Sequence, residues 1–209
     1  MITGNRGKSF SRWGLKNNPF SSLPPDKSDE RTWVFTGRNN EVETLMNLAE
    51  RPCGVFLSGM FGIGKSILVL ETLRKLTDQG YVTAYANYNR DNGFYVSVLE
   101  ELALTSAKYN MRGVYDILTI GISTSDRDIP SMENIKGAAY RTKNIFNAIK
   151  DIKNLLNLRL PLVIVVDELE HNTDIGDIPD IIYYARQLIG IGYVVILLGH
   201  PSGKTAACG

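Results

Sequence analysis

The most informative stretch of the chain is Gly59-Met60-Phe61-Gly62-Ile63-Gly64-Lys65-Ser66, which fits the pattern G-x-x-x-x-G-K-[ST]. A short apolar run at residues 53–57 precedes it, and a helical pattern of apolar residues begins at Lys65. Glycines in this pattern let successive backbone N–H groups, and the N-terminus of the following helix, face an anion. The stretch therefore predicts a phosphate-binding loop between a strand and a helix.

Two side chains of this loop carry the expected chemistry. Lys65 is expected to reach the β- and γ-phosphates of a bound nucleotide, and the hydroxyl of Ser66 is expected to ligate Mg²⁺. The predicted cofactors are therefore ATP and Mg²⁺. The residues expected to contact the nucleotide are Gly59, Met60, Phe61, Gly62, Ile63, Gly64, Lys65, Ser66 and Ile67.

A second motif lies well downstream, where the apolar run at residues 162–166 ends in Asp167 and Glu168. An uninterrupted apolar run is typical of a strand buried on both faces of a parallel sheet, and ligands of such sheets bind at the carboxyl ends of the strands. Asp167 is therefore expected to hold Mg²⁺ through water, completing the metal site begun by Ser66. Glu168 is expected to polarise a water for attack on the γ-phosphate. The two motifs together predict ATP hydrolysis.

Apolar runs and helical patterns alternate along the rest of the chain from Thr36 onward. This alternation predicts an α/β fold with three layers, in which a parallel sheet has helices on both faces. Strands are expected at residues 53–57, 81–86, 162–166 and 193–198. Helices are expected at about 40–50, from 65 to a stop at Gly80, from a cap at Asn92 to 108, from a cap at Ser131 to 157, and from Pro179 to 190, with a loop at 109–130. The helix from Lys65 is expected to bury Ile67, Leu68, Leu70, Leu73 and Leu76.

Composition excludes several classes of protein. The chain has 209 residues, of which 44% are hydrophobic and 22% charged, and this excludes a disordered chain, a collagen-like fibre and a disulfide scaffold. Cys53 and Cys208 are expected to be reduced thiols of a cytoplasmic protein. No apolar run approaches the ~20 residues of a membrane-spanning helix, so no membrane span is predicted.

Residues 1–35 are expected to form a basic N-terminal arm and linker, ahead of a phosphate-loop domain at 36–209. Four basic residues and no acidic residue precede Asp26. Two interpretations of this arm stay open: a solvated terminus, or a segment that contacts DNA through phosphate charge and base stacking.

The two motifs resemble those of the AAA+ ATPases, within the ASCE group of the P-loop NTPases. The Asp167-Glu168 pair and a last strand that is followed by His200 belong to the same pattern. Two upstream segments, Asn18-Pro19-Phe20 and residues 35–41, resemble the N-terminal segments of origin-recognition/archaeal initiator-like and ExeA-type ATPases. This resemblance implies the strand order 5-1-4-3-2.

The resemblance also implies roles for two further residues. Arg38 would lie beside the adenine, and His200 would be the sensor of the γ-phosphate, so that the expected catalytic residues are Glu168, Lys65 and His200. On position alone, His200 is equally a plain histidine at a strand end. Arg186 is expected to be a solvated arginine on a helix rather than a residue directed at a neighbouring subunit's nucleotide.

The chain departs from this family after the last predicted strand. Residues 200–209 are too few for the fifth strand and the helical lid, so the domain is expected to be C-terminally incomplete. Two functions therefore stay open, with a phosphotransferase ranked last behind them. One is an ATP-hydrolysing switch or motor that acts on a protein or DNA partner or on copies of itself, and the other is a nucleotide-gated binding module with negligible hydrolysis.

Overall fold

The computed structural model describes residues 37–122, 130–169 and 177–199. These residues form six helices and four strands. The helices are α1 (Asn39–Leu48), α2 (Lys65–Asp78), α3 (Phe94–Leu118), α4 (Met132–Arg141), α5 (Ile145–Leu156) and α6 (Ile178–Gly190). The strands are β1 (Gly54–Ser58), β2 (Thr83–Asn87), β3 (Leu162–Asp167) and β4 (Tyr193–Gly199). The predicted basic arm, His200 and the segment that follows it lie outside the described residues.

The four strands form one parallel sheet in the order β1-β4-β3-β2. This order confirms the four-strand portion of the predicted arrangement. All six residues of β3 are buried, as expected for a central strand covered on both faces. Because the strands are parallel, their carboxyl ends meet at one edge of the sheet, and that edge is where ligands of such sheets bind.

Alternate residues of β3 pack into two separate hydrophobic cores. Val163 and Val165 pack with apolar residues of α1 and α2 on one face. Leu162, Ile164 and Val166 pack with residues of α3, α4, α5 and α6 on the other. The period of two along the strand thus produces the predicted arrangement of helices on both faces. No helix in the described part of the chain is long and apolar enough to cross a membrane.

The loop predicted at 109–130 is wrong in its first part, because α3 continues to Leu118. Asn110 has non-helical backbone angles, and its side-chain oxygen accepts a hydrogen bond from the N–H of Gly113 at 3.0 Å. The helix therefore bends at Asn110 and restarts, after which Val114 and Leu118, one turn apart, are fully buried. The predicted cap at Asn92 is also wrong, since Gly93 occupies the N-cap position.

The single helix predicted at 131–157 is two helices. Ser131 caps the first as predicted, accepting from the N–H of Asn134 at 3.1 Å. The chain is extended at Thr142, and the side-chain oxygen of Asn144 then accepts from the N–H of Asn147 at 3.2 Å. Asn144 is thus a second N-cap, and it starts α5 as a separate helix. Its side chain satisfies an N–H group in the first turn that a continuous helix would have bonded to a backbone carbonyl.

The buried face of α2 differs from the predicted one. Leu68, Leu73 and Leu76 are buried as expected, but Ile67 is 39% exposed and Leu70 is only half-buried. Val69 and Thr72 take their places. Counted from Lys65, the residues of α2 that face the sheet recur every three or four positions. Ile67 does not lie on that face of the helix.

Replacing Asn144 by Ala should lower the free energy of unfolding by about 1 kcal/mol, because the first turn of α5 loses its side-chain acceptor. Urea denaturation measures the change. Asn154, exposed within the same helix, provides the matched control: Asn154→Ala should be neutral or slightly stabilising, since Ala favours a helix interior. Equal losses in the two variants would contradict the capping role.

Candidate functional site

The predicted phosphate-binding loop connects β1 to α2. Two of its glycines, Gly62 and Gly64, have positive φ angles of 77° and 86°. Gly64 is the N-cap of α2, so the left-handed turn there directs the chain into the helix. A side chain would be strained at either position, which explains the glycines of the motif physically. The N-terminus of α2 therefore opens directly from the loop.

Lys65 is buried, with 8% of its surface exposed, although it is a charged residue. Its Nζ donates hydrogen bonds to the carbonyl oxygens of Gly59 at 2.8 Å and Met60 at 3.3 Å. A Cβ at Gly59 would lie 3.2 Å from Cγ2 of Ile63 and 3.6 Å from Cδ of Lys65, so the loop closes tightly around the lysine. The ammonium group is held against the start of the loop.

The exposed side chains of the loop are apolar. Met60 is 70% exposed, Phe61 77% and Ile63 56%. The loop thus carries its apolar side chains outward, and its backbone forms the turns that precede α2. The nucleotide contacts predicted for Met60, Phe61 and Ile63 would therefore be made by their backbone N–H groups.

Arg38 lies against the same loop. Its Nη1 donates to the carbonyl of Ile63 at 3.1 Å, and its Nε donates to Oε1 of Glu41 at 3.2 Å. Backbone hydrogen bonding and, to a smaller extent, the Arg38 side chain lower the pKa of Glu41. The structure brings Arg38 to the phosphate-binding loop, and its predicted place beside the adenine stays a prediction.

The carboxylate of Asp167 joins the two motifs. The hydroxyl of Ser66 donates to Oδ2 of Asp167 at 2.8 Å, across 101 positions of sequence. The hydroxyl of Tyr85 donates to the same oxygen, and the backbone N–H of Glu168 donates to Oδ1 at 2.7 Å. Asp167 is 8% exposed, and burial of a carboxylate is tolerated when it is hydrogen-bonded in this way.

Sequence reasoning missed Tyr85. This residue lies on β2 and pairs with Val165 of β3, so its side chain shares a sheet face with Asp167. Burial, with a smaller contribution from the hydrogen bond to Asp167, raises the pKa of Tyr85 above its ordinary value. Its hydroxyl therefore keeps its proton at neutral pH and remains a donor. The available signal was the alternation of β2, which places Tyr85 on the same face as Asn87 at the strand end.

Glu168 follows Asp167 with a positive φ of 63°, a backbone region that is uncommon for any residue but glycine. The chain turns at this point, so that Glu168 is exposed beside the buried Asp167. Strained residues of this kind persist only where the surrounding structure holds them, and they cluster at functional sites. Arg186 is exposed on α6, whereas His200 lies outside the described residues.

The donor set fits the predicted cofactors. Ser66 and Asp167 offer a hydroxyl and a carboxylate, the hard oxygen ligands that Mg²⁺ takes alongside phosphates and water. Lys65 and the N-terminus of α2 offer positive charge and N–H donors beside them, as an anionic phosphate requires.

Replacing Gly64 by Ala should lower the free energy of unfolding by about 1–2 kcal/mol, because the left-handed backbone then carries a Cβ. Gly190, the last residue of α6, has open space around a Cβ, so Gly190→Ala is the matched control and should be neutral or stabilising. Urea denaturation of both variants is the measurement. A fully stable Gly64→Ala protein would mean that the loop does not need this conformation.

Comparison with known proteins identifies the family. A family model described as an AAA ATPase domain matches residues 34–176, which is more than half of the chain. No curated protein matches. Among solved structures, the Orc1 protein of Aeropyrum pernix in complex with DNA is similar, at 16% identity and a TM-score of 0.43. The match covers 85% of this chain and 43% of that one, so this chain spans less than half the length of the archaeal protein. The family match, together with the parallel sheet and its phosphate-binding loop, shows that the chain belongs to the AAA ATPase domain family and is an ATP-binding AAA+ P-loop domain.

Proposed function

We propose that this domain hydrolyses ATP with the help of Mg²⁺ and uses the cycle to switch or drive a partner. The observation that carries the proposal is the 2.8 Å hydrogen bond from Ser66 to Asp167. This bond joins the phosphate-binding loop to the end of the central strand, with the exposed Glu168 next along the chain. A phosphate-binding loop, a metal ligand pair and a general base are the parts that phosphoryl transfer to water requires.

Binding of the phosphates is assigned to the loop 59–66 and Lys65. The loop backbone and the N-terminus of α2 supply N–H donors, and Lys65 supplies a positive charge that is already held close to the loop. An ammonium that binds phosphate from a partly buried position forms a charge-assisted hydrogen bond, which is stronger than one between neutral groups. Ile67 and Arg38 remain the proposed flanking contacts of the nucleotide.

Ser66 and Asp167 are the proposed metal ligands. The Ser66 hydroxyl donates a hydrogen bond to Asp167, which leaves the lone pairs of the Ser66 oxygen available to a cation. Asp167 contributes negative charge beside it. When bound, Mg²⁺ supplies charge neutralisation at the phosphate oxygens.

Glu168 is the proposed general base. Its carboxylate is exposed, directly after the buried Asp167, and its backbone N–H is tied to Asp167 Oδ1. An exposed carboxylate at this edge can accept a proton from an attacking water, whereas Asp167 is already engaged by three donors. The strained backbone at Glu168 is consistent with a position fixed for function.

Three further assignments rest on sequence. His200 is proposed as the γ-phosphate sensor because it directly follows Gly199, which pairs with Ser58 just before the phosphate-binding loop. The basic arm supports a DNA partner, and a protein partner or self-assembly fits the same switch. The cysteine content supports a cytoplasmic location.

Replacing Glu168 by Gln should retain ATP binding and slow hydrolysis by ~10²–10⁴-fold, because Gln cannot accept the proton. Asp167→Asn should instead weaken the Mg²⁺-dependent part of ATP binding, since it removes metal-directed charge. Single-turnover hydrolysis and equilibrium ATP binding on both variants separate the two roles.

Lys65→Ala supplies the reference for lost nucleotide binding, because it removes the charge expected on the β- and γ-phosphates. A Glu168→Gln protein that hydrolyses ATP as fast as the unmodified chain would contradict the assigned base. ATP binding without turnover by the unmodified chain would favour the alternative function, a nucleotide-gated binding module with negligible hydrolysis.

A further inference from the structure

We propose that Tyr85 is a positioning residue for the magnesium site, whose hydroxyl holds the Asp167 carboxylate in the orientation that faces Ser66. The inference rests on the proposed function, because it requires Mg²⁺ and nucleotide to bind at Ser66 and Asp167. Tyr85 touches neither of them in this account. It acts through Asp167 alone.

The geometry shows three donors from three separate elements around one carboxylate. Ser66 at the start of α2 and Tyr85 on β2 both donate to Oδ2, and the N–H of Glu168 donates to Oδ1. Donors on both oxygens fix the rotation of the carboxylate as well as its position. Asp167 is therefore held before any metal arrives.

Tyr85 is the side-chain donor that stays independent of the metal. The Ser66 hydroxyl is itself a proposed ligand, so its own orientation changes with its coordination. The Glu168 N–H belongs to the turn that carries the proposed base. Tyr85 is anchored instead in a strand: it pairs with Val165, and its ring packs against the core formed by α1, α2 and the sheet. A rigid strand supports a ligand more firmly than a loop does.

Packing alone does not explain the hydroxyl. Tyr85 is partly buried against apolar residues, and a phenylalanine would fill the same space without a polar atom that needs a partner. The hydroxyl is instead directed at a carboxylate, to which it donates a hydrogen bond. Groups that orient a metal ligand by hydrogen bonding typically change metal affinity by ~10–100-fold when removed.

The chain contains a matched control in Tyr193. Its ring is fully buried in the core on the opposite face of the sheet, and its hydroxyl donates to the backbone carbonyl of Ile149 at 2.9 Å. Burial raises the pKa of Tyr193 as well. Both tyrosines thus donate a hydrogen bond from the hydroxyl, and they differ in the acceptor: a carboxylate for Tyr85 and a main-chain carbonyl for Tyr193.

The test compares Tyr85→Phe and Tyr193→Phe with the unmodified chain. Calorimetry measures the affinity for ATPγS in EDTA and across a series of Mg²⁺ concentrations. Tyr85→Phe should bind ATPγS in EDTA within about twofold of the unmodified chain and need roughly tenfold more Mg²⁺ for the half-maximal gain in affinity. Tyr193→Phe should unfold at a lower urea concentration, because it loses a buried hydrogen bond, and its Mg²⁺ midpoint should be unchanged.

Four results would overturn the inference. An unchanged Mg²⁺ midpoint in Tyr85→Phe would remove the positioning role, and so would an equal loss of affinity with and without Mg²⁺, because a merely structural residue gives that pattern. A midpoint shifted as far in Tyr193→Phe would show that any lost hydroxyl has the effect. If the unmodified chain gains no affinity from Mg²⁺, the proposed metal site fails and the inference fails with it, whereas the first three results leave the proposed function standing.

Discussion

The hydrogen bond between the Ser66 hydroxyl and the Asp167 carboxylate is the interaction on which the rest of the site depends. It connects the first turn of α2 to the end of β3, two elements that the chain reaches 101 residues apart. It links the phosphate-binding loop to the acidic strand end. A phosphate-binding turn, the proposed metal ligand pair and an exposed carboxylate thus lie together at one edge of the sheet.

The sheet order makes that contact possible. β4 and β3 occupy the centre, and β1 and β2 flank them, so the loop after β1 and the side chains of β2 approach the end of β3 from either side. The register of β2 on β3 pairs Tyr85 with Val165 and Asn87 with Asp167. Because side chains alternate along a strand, this register places Tyr85 and Asp167 on the sheet face that is covered by α2. The pairing of these two strands therefore sets the geometry of the polar site.

Patterns in short stretches of sequence predicted much of this fold and the two motifs that the sheet brings together, whereas contacts that depend on tertiary packing were not predictable. The phosphate-binding loop and Asp167 were predictable because their signals lie in short stretches of sequence. The signals are glycines at positions with left-handed backbone angles and a carboxylate at the end of an apolar run. The restart of α3 after Asn110 was not, because an asparagine and a nearby glycine are equally typical of a loop. Tyr85 was missed because its partner belongs to another strand, and the sequence of a strand does not show which strand it pairs with. The exposure of Ile67 follows from the direction in which Gly64 starts α2.

The central claim is that Ser66 and Asp167 act as one metal-binding unit, and a double-mutant cycle tests it most directly. Calorimetry would measure how much Mg²⁺ increases the affinity for ATPγS in the unmodified chain, in Ser66→Ala, in Asp167→Asn and in the double variant. The account predicts that each single change removes most of the gain and that the double change removes little more, which gives a coupling energy of about 0.5–3 kcal/mol. Additive losses, with no coupling between the two positions, would contradict it.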